Sequence, residues 1–155
     1  MTEAMYQPVV RVPLMIFEPG RQTGQDIHDF TSAIDLLPTL AYLGGQPVPD
    51  WTEGAILPPY SPTSLPSRSL FALRAMHNRQ LAPLTAGSTM MVRENYKLHY
   101  HFGLPQVPPG GIVQLFDVTS DPEEMVDLSH SKPGIAAELL NELKTKLKEA
   151  DQPYL

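Results

Sequence analysis

Several groups of residues in this chain carry side chains suited to chemistry. His99 and His101 lie two apart in a run with strand character, so both would project from one strand face and could share a metal ion. No third ligand lies near them in sequence, and we read them as histidines on an exposed strand face. His77 and Arg79 flank Asn78 in a polar stretch that ends near Pro83. An arginine offers paired donors to an anion and a histidine adds one hydrogen bond, which makes these two the candidates for binding an anionic substrate. Their bland reading is a solvated loop. Asp35 could act as a catalytic carboxylate, but it opens a helix-like run and reads as a helix cap. Asp121-Pro122-Glu123-Glu124 has the acidity of a calcium loop. It lacks the alternating ligands and the glycine of such a loop and reads as a structural turn. With no cysteine in the chain there is no thiolate metal site and no cysteine nucleophile. No catalytic residue and no metal ligand is assigned.

The elements that would carry these residues differ between the two halves. The apolar run Leu14-Met15-Ile16-Phe17, opened by Pro13 and closed by Glu18-Pro19-Gly20, reads as a strand buried on both faces. Ser32–Leu43 reads as a capped helix, with an apolar stripe through Ile34, Leu37, Leu40 and Ala41 and an exit at Gly44-Gly45. Residues 46–68 hold six prolines and no periodicity, and form a connector in which Trp51 should anchor on the body. Ser69 to Arg74 reads as a strand. Thr89–Val92 and Tyr96–Phe102, joined by Arg93-Glu94-Asn95, read as a β-hairpin. Its alternation puts Tyr96, Leu98, Tyr100 and Phe102 on one face and Lys97, His99 and His101 on the other. Ile112–Asp117 is a further strand. A helix over 133–150 presents Ile135, Leu139, Leu140, Leu143 and Leu147 as one stripe, while Glu138, Glu142, Lys146 and Glu149 form a solvated face.

Composition sets the outer limits. A domain of 155 residues buries about 70% of its unfolded surface. Hydrophobic residues at 42% and charged residues at 18% place the chain in the globular range. Seventeen prolines, roughly twice the usual share, argue for long ordered loops over a scaffold. A net charge of −6 gives no footprint for nucleic acid or an anionic membrane surface. No run is long enough to span a bilayer, and the first residues carry no secretory pattern, so the compartment stays unassigned.

Three stretches carry a family resemblance. R-V-P-L-x-I-x-x-P-G (from Arg11), followed by S-x-I-D-L-L-P-T-L-x-x-L-G-G (from Ser32), resembles the segment that opens the C-terminal third of sulfatases in the alkaline-phosphatase superfamily. Glu53-Gly54-Ala55-Ile56-Leu57-Pro58 resembles a further family segment in the same order. M-V-R-x-x-Y-K-L-x-Y and Q-L-F-D-V-T-S-D-P-E-E-M-V-D-L-S are similar to the C-terminal sulfatase pattern. The resemblance runs from Arg11 to Leu147 and covers the C-terminal portion only. It implies an α/β fold, becoming α+β in the second half: the end of a sulfatase-like α/β sandwich over residues 1–75, then a small antiparallel sheet packed with a helix over 76–155. It implies a segment that completes a sulfuric ester hydrolase and forms one wall of its pocket, with the N-terminal catalytic part of a sulfatase as partner. A complete sulfatase would use a divalent cation, usually calcium, and formylglycine, and this chain is expected to hold neither. Ser64-Leu65-Pro66-Ser67-Arg68 matches the nucleophile signature formally. The residues after it depart from the family pattern and it follows the R-V-P-L segment, so we read it as a coincidence. Two alternatives remain: an autonomous binding or scaffolding module, and an active hydrolase with Ser64 as formylglycine precursor.

Overall fold

The computed structural model describes residues 5–61, 68–75 and 83–154. The chain divides into two compact units, Leu14–Leu70 on the one hand and Met1–Pro13 with Phe71–Leu155 on the other. This differs from the expected division at residue 75, because the first residues belong with the sheet and not with the segment that follows them.

The sheet unit begins with a short helix, α1 (Gln7–Val10). Strands β1 (Leu70–Ala75), β2 (Gly87–Arg93), β3 (Tyr96–Phe102) and β4 (Ile112–Asp117) form one sheet in the order β1-β2-β3-β4. The β2–β3 and β3–β4 pairs are antiparallel, with Met91 opposite Leu98 and Leu98 opposite Leu115. A two-residue turn, Glu94-Asn95, closes the hairpin with Glu94 at φ 56°. The Asn95 side chain donates to Asp117 Oδ2 at 2.9 Å, which pins the turn to the end of β4. The outer edge of β4 is covered in part: Leu115 N–H donates to Asp127 Oδ1 and Leu128 N–H to Leu115 O.

The final helix (Pro133–Asp151, called α3 below) follows the expected stripe. Ala136, Leu139 and Leu143 pack with Met91, Leu98, Tyr100 and Leu115, while Ile135, Leu140 and Leu147 lie at the margin. The face expected to be wholly solvated is partly engaged, since Arg93 of β2 bridges Glu138 and Glu142. Gly103 has φ 64°, and a Cβ there would lie 1.9 Å from Thr85 O, so the exit from β3 requires glycine.

The other unit holds a short 3-10 turn (Ala33–Asp35) leading into the helix α2 (Leu36–Leu43). Pro38 sits in its first turn, where a missing N–H costs nothing. Gly44 N–H closes the helix on Leu40 O and Gly45 takes φ 65°. Two expectations fail in this unit. Leu14–Phe17 is not a strand, and Met15 and Phe17 are 94% and 84% exposed. A strand needs neighbours for its N–H and C=O groups, and the described residues of this unit supply none. Trp51 is 72% exposed and anchors nothing.

Leu143 is 1% exposed against the sheet, so Leu143→Ala should destabilise the sheet unit by about 2–5 kcal/mol. Urea unfolding followed by circular dichroism measures it. A loss below about 1 kcal/mol would mean that α3 is not packed on the sheet as described.

Candidate functional site

The polar chemistry of the described residues gathers around two buried carboxylates, one in each unit. In the sheet unit, Lys97, His99 and His101 are fully buried, which corrects the expectation of an exposed strand face. Alternation says which residues share a face but not whether that face is covered. The cover is the N-terminal segment that carries α1. Met5 and Val10 pack on Met90, Val92 and Ala72, and the Tyr6 ring lies 5.3 Å from the His99 ring and 6.1 Å from Phe116.

The carboxylate is Glu124, from the turn after β4. It takes a left-handed backbone, φ 55°, and its side chain is wholly buried. Oε1 accepts from Lys97 Nζ at 2.9 Å and from Gln7 N–H at 2.6 Å, and Oε2 meets His99 Nε2 at 2.7 Å. Burial pushes the Glu124 carboxyl up, but the donors from His99, Lys97 and Gln7 outweigh it and hold the group below its usual range. Burial lowers Lys97, and Glu124 offsets only part of that. A carboxylate can only accept here, so Nε2 of His99 carries the proton and Nδ1 is left bare, with no partner. His101 Nδ1 lies 2.7 Å from Ser88 Oγ and its Nε2 has no partner. A buried N–H without an acceptor costs more than an idle lone pair, so Nδ1 is the donor to Ser88. Burial, then the neighbouring His99, lowers the His101 pKa.

In the α2 unit, Asp35 stands at the N-cap position of α2 but makes no cap hydrogen bond there; its side chain closes a capping box on the preceding 3-10 turn instead. Its carboxylate accepts Ser32 N–H at 2.8 Å, Ala55 N–H at 2.9 Å and both Nη groups of Arg68, with Nη1 at 2.8 Å from Oδ1. Burial raises Asp35, while Arg68 and the two amides together hold it low. Arg68, the last residue of the formal nucleophile signature, is thereby committed to Asp35. Thr39 Oγ1 donates to Asp35 O and accepts Leu57 N–H, which ties the connector to the helix. Around this polar centre α2 stays bare: Leu36, Leu37, Leu40, Tyr42 and Leu43 are exposed, Leu40 at 65%.

His77, Arg79 and Ser64 lie outside the described residues. His99 and His101 share a face and His99 is bonded to Glu124, yet among the described residues no cluster of three or more His, Cys, Asp or Glu could hold a metal ion. In the acidic turn, Asp121 Oδ2 is engaged by Val126 N–H and Glu124 points inward. Glu124 was missed as a structural centre. The available signal was a strand face of three polar residues set between Met90, Val92 and Phe116 on its neighbours.

The chain matches the family described as "N-sulphoglucosamine sulphohydrolase, C-terminal" over residues 2–153. It belongs to that family. Arylsulfatase K of Xenopus laevis is 31% identical over 148 residues, which cover 92% of this chain and 27% of the relative. Arylsulfatase K of Bos taurus is 28% identical over 149 residues, 92% of this chain and 26% of the relative. A solved structure of a 2-O GAG sulfatase superposes with a TM-score of 0.57 at 26% identity, covering 78% of this chain and 26% of that one. The chain therefore spans about a quarter of the length of the sulfatases it matches. The mixed α/β class expected from the resemblance holds, with the four-stranded sheet and its C-terminal helix as its second half. A complete member of the sulfatase family implies calcium and formylglycine. Calcium takes about six to eight oxygen ligands, and the donor set of the described residues does not fit it.

Removing the Glu124 charge strands Lys97 in the core. Glu124→Gln should cost about 3–5 kcal/mol in urea unfolding of the sheet unit. Because the folded carboxyl lies below 4.5, its contribution is complete above that pH and is lost as pH falls through the lower folded value. The variant should lack that part of the acid dependence. A cost under about 1 kcal/mol would identify the pair as solvent-relaxed.

Proposed function

We propose that this chain is the C-terminal segment of a sulfuric ester hydrolase, non-catalytic by itself, which completes a sulfatase-like α/β domain and one wall of its substrate pocket. The observation that carries the reading is α2. Its eight residues, Leu-Leu-Pro-Thr-Leu-Ala-Tyr-Leu, contain no charge, and a helix apolar on all sides belongs in an interior. Only Pro38 and Thr39 are buried in it. The exposed run Leu14–Phe17 adds further apolar surface, beyond what a soluble surface ordinarily leaves open. The occupant that fits is the N-terminal catalytic portion of a sulfatase, whose sheet would give Leu14–Phe17 strand partners. Membership of the sulfatase C-terminal family and the quarter-length coverage of its relatives support this assignment. In the completed domain His77 and Arg79 are the residues to meet the anionic ester, as a hydrogen-bond donor and a guanidinium.

The test is one substitution in two settings. In the chain alone, Leu40→Ala removes an exposed side chain and should change stability by no more than about 0.5 kcal/mol. With the chain grafted in place of the C-terminal quarter of an arylsulfatase, the same change should cost about 2–5 kcal/mol. Equal small costs in both settings would reject the docking surface. The chain alone should not hydrolyse 4-nitrocatechol sulfate. Turnover that disappears in Ser64→Ala, with Ser64 found oxidised by mass spectrometry, would replace this reading with a self-sufficient hydrolase.

A further inference from the structure

The sheet unit contains a buried cluster of ionisable groups for which the proposed function has no use, and a short segment seals it. We propose that residues 5–10 form an acid-released strap: closed over the sheet while His101 is neutral, and lifted when its bare ring nitrogen takes up a proton.

The geometry supplies the argument. The groups facing the cluster are Lys97, His99 and His101 from β3, Glu124 from the turn after β4, and Tyr6 from the strap. From β2 comes the uncharged Ser88, and from β4 the ring of Phe116. In the closed state one anion, Glu124, faces one cation, Lys97. A proton on His101 Nε2 adds a second buried cation with no second anion. It also creates an N–H with no acceptor. The His99 ring is only 6.3 Å from that of His101 between centroids and further opposes a charge on it.

Water can reach this nitrogen most cheaply through the strap. The helix within it has four residues, and its polar tie to the sheet unit is Gln7 N–H on Glu124. A groove lined by Gln7, Pro8, Arg11, Pro122 and Glu123 already runs where strap and turn meet. The opposite face, where α3 covers Leu98 and Leu115, holds an apolar core with no buried histidine, lysine or carboxylate among its members. Opening is therefore local, as expected for an element with few buried contacts. The depressed His101 pKa has the matching sign. The closed state loses stability as pH falls below the ordinary imidazole value of 6.5, while the Glu124 loss begins only below 4.5.

Amide hydrogen exchange of the full chain, corrected for intrinsic pH dependence, tests this between about pH 8 and pH 5. Exchange in residues 6–10 should accelerate by at least about tenfold while β3, β4 and α3 keep their protection. The substitution His101→Asn preserves the donor to Ser88 but cannot titrate. It should abolish the response. A second readout, independent of the variant's folding, is the ring protonation of His101 in the wild-type chain by NMR, which should share the midpoint of the exchange change. Three results would each overturn the proposal: a strap protected down to pH 5, loss of protection throughout the sheet unit at once, or a His101 ring that titrates without any change in the strap.

Discussion

A single buried carboxylate determines how the sheet unit closes. Glu124 collects a lysine, a histidine and a backbone amide from two other segments, and each of these would otherwise be a donor in the core with no acceptor. Its left-handed backbone carries a cost of about 1–2 kcal/mol that glycine or asparagine would lessen. Neither has a side chain long or charged enough to reach Lys97. The cost is borne because the alternative, an unpaired ammonium beneath the strap, is several times larger. The burial of the N-terminal segment follows from this: Gln7 is held by the same oxygen that holds Lys97.

This explains what was legible in the sequence and what was not. The hairpin, β4 and α3 emerge close to their expected bounds, because period-two and 3.6-residue patterns are local and these elements pack on one another within a short stretch of chain. Leu14–Phe17 misled for the same reason. Four apolar residues in a row state a need for cover but do not identify its source. The Lys97-His99-His101 face also misled, since its cover comes from residues more than ninety positions earlier and from Glu124, over twenty positions later. Short-range pattern has no means of expressing either. The polar residues of β3 look like a surface because lysine and histidine usually are surface; only the bonds to Glu124 make them interior.

Asp35 repeats the device in the other unit. Its oxygens join the 3-10 turn, the connector at Ala55 and the guanidinium of Arg68. Proline-rich loops have few N–H groups to offer to a regular ladder, so a carboxylate that gathers scattered donors is an economical way to hold them. Gly54 shows how tight that gathering is: a Cβ there would fall 2.1 Å from Ile34 O, against the very turn that presents Asp35. The cap reading of Asp35 captures its local bond to Ser32, while its bonds to Ala55 and Arg68 reach parts of the chain that a local pattern does not express.

The two units differ in what these polar centres leave over. In the sheet unit the staple closes a face whose apolar rim, Met5, Met90 and Val92, is itself buried, and the opposite face is filled by α3. In the α2 unit the staple fixes the helix against its connector through Thr39 and Leu57 yet leaves Leu36, Leu37, Leu40 and Leu43 in solvent. A polar staple can set the shape of such a segment, because hydrogen bonds are directional. It cannot bury apolar area, which takes a second surface. The α2 unit thus holds its shape through polar bonds while its apolar area stays open.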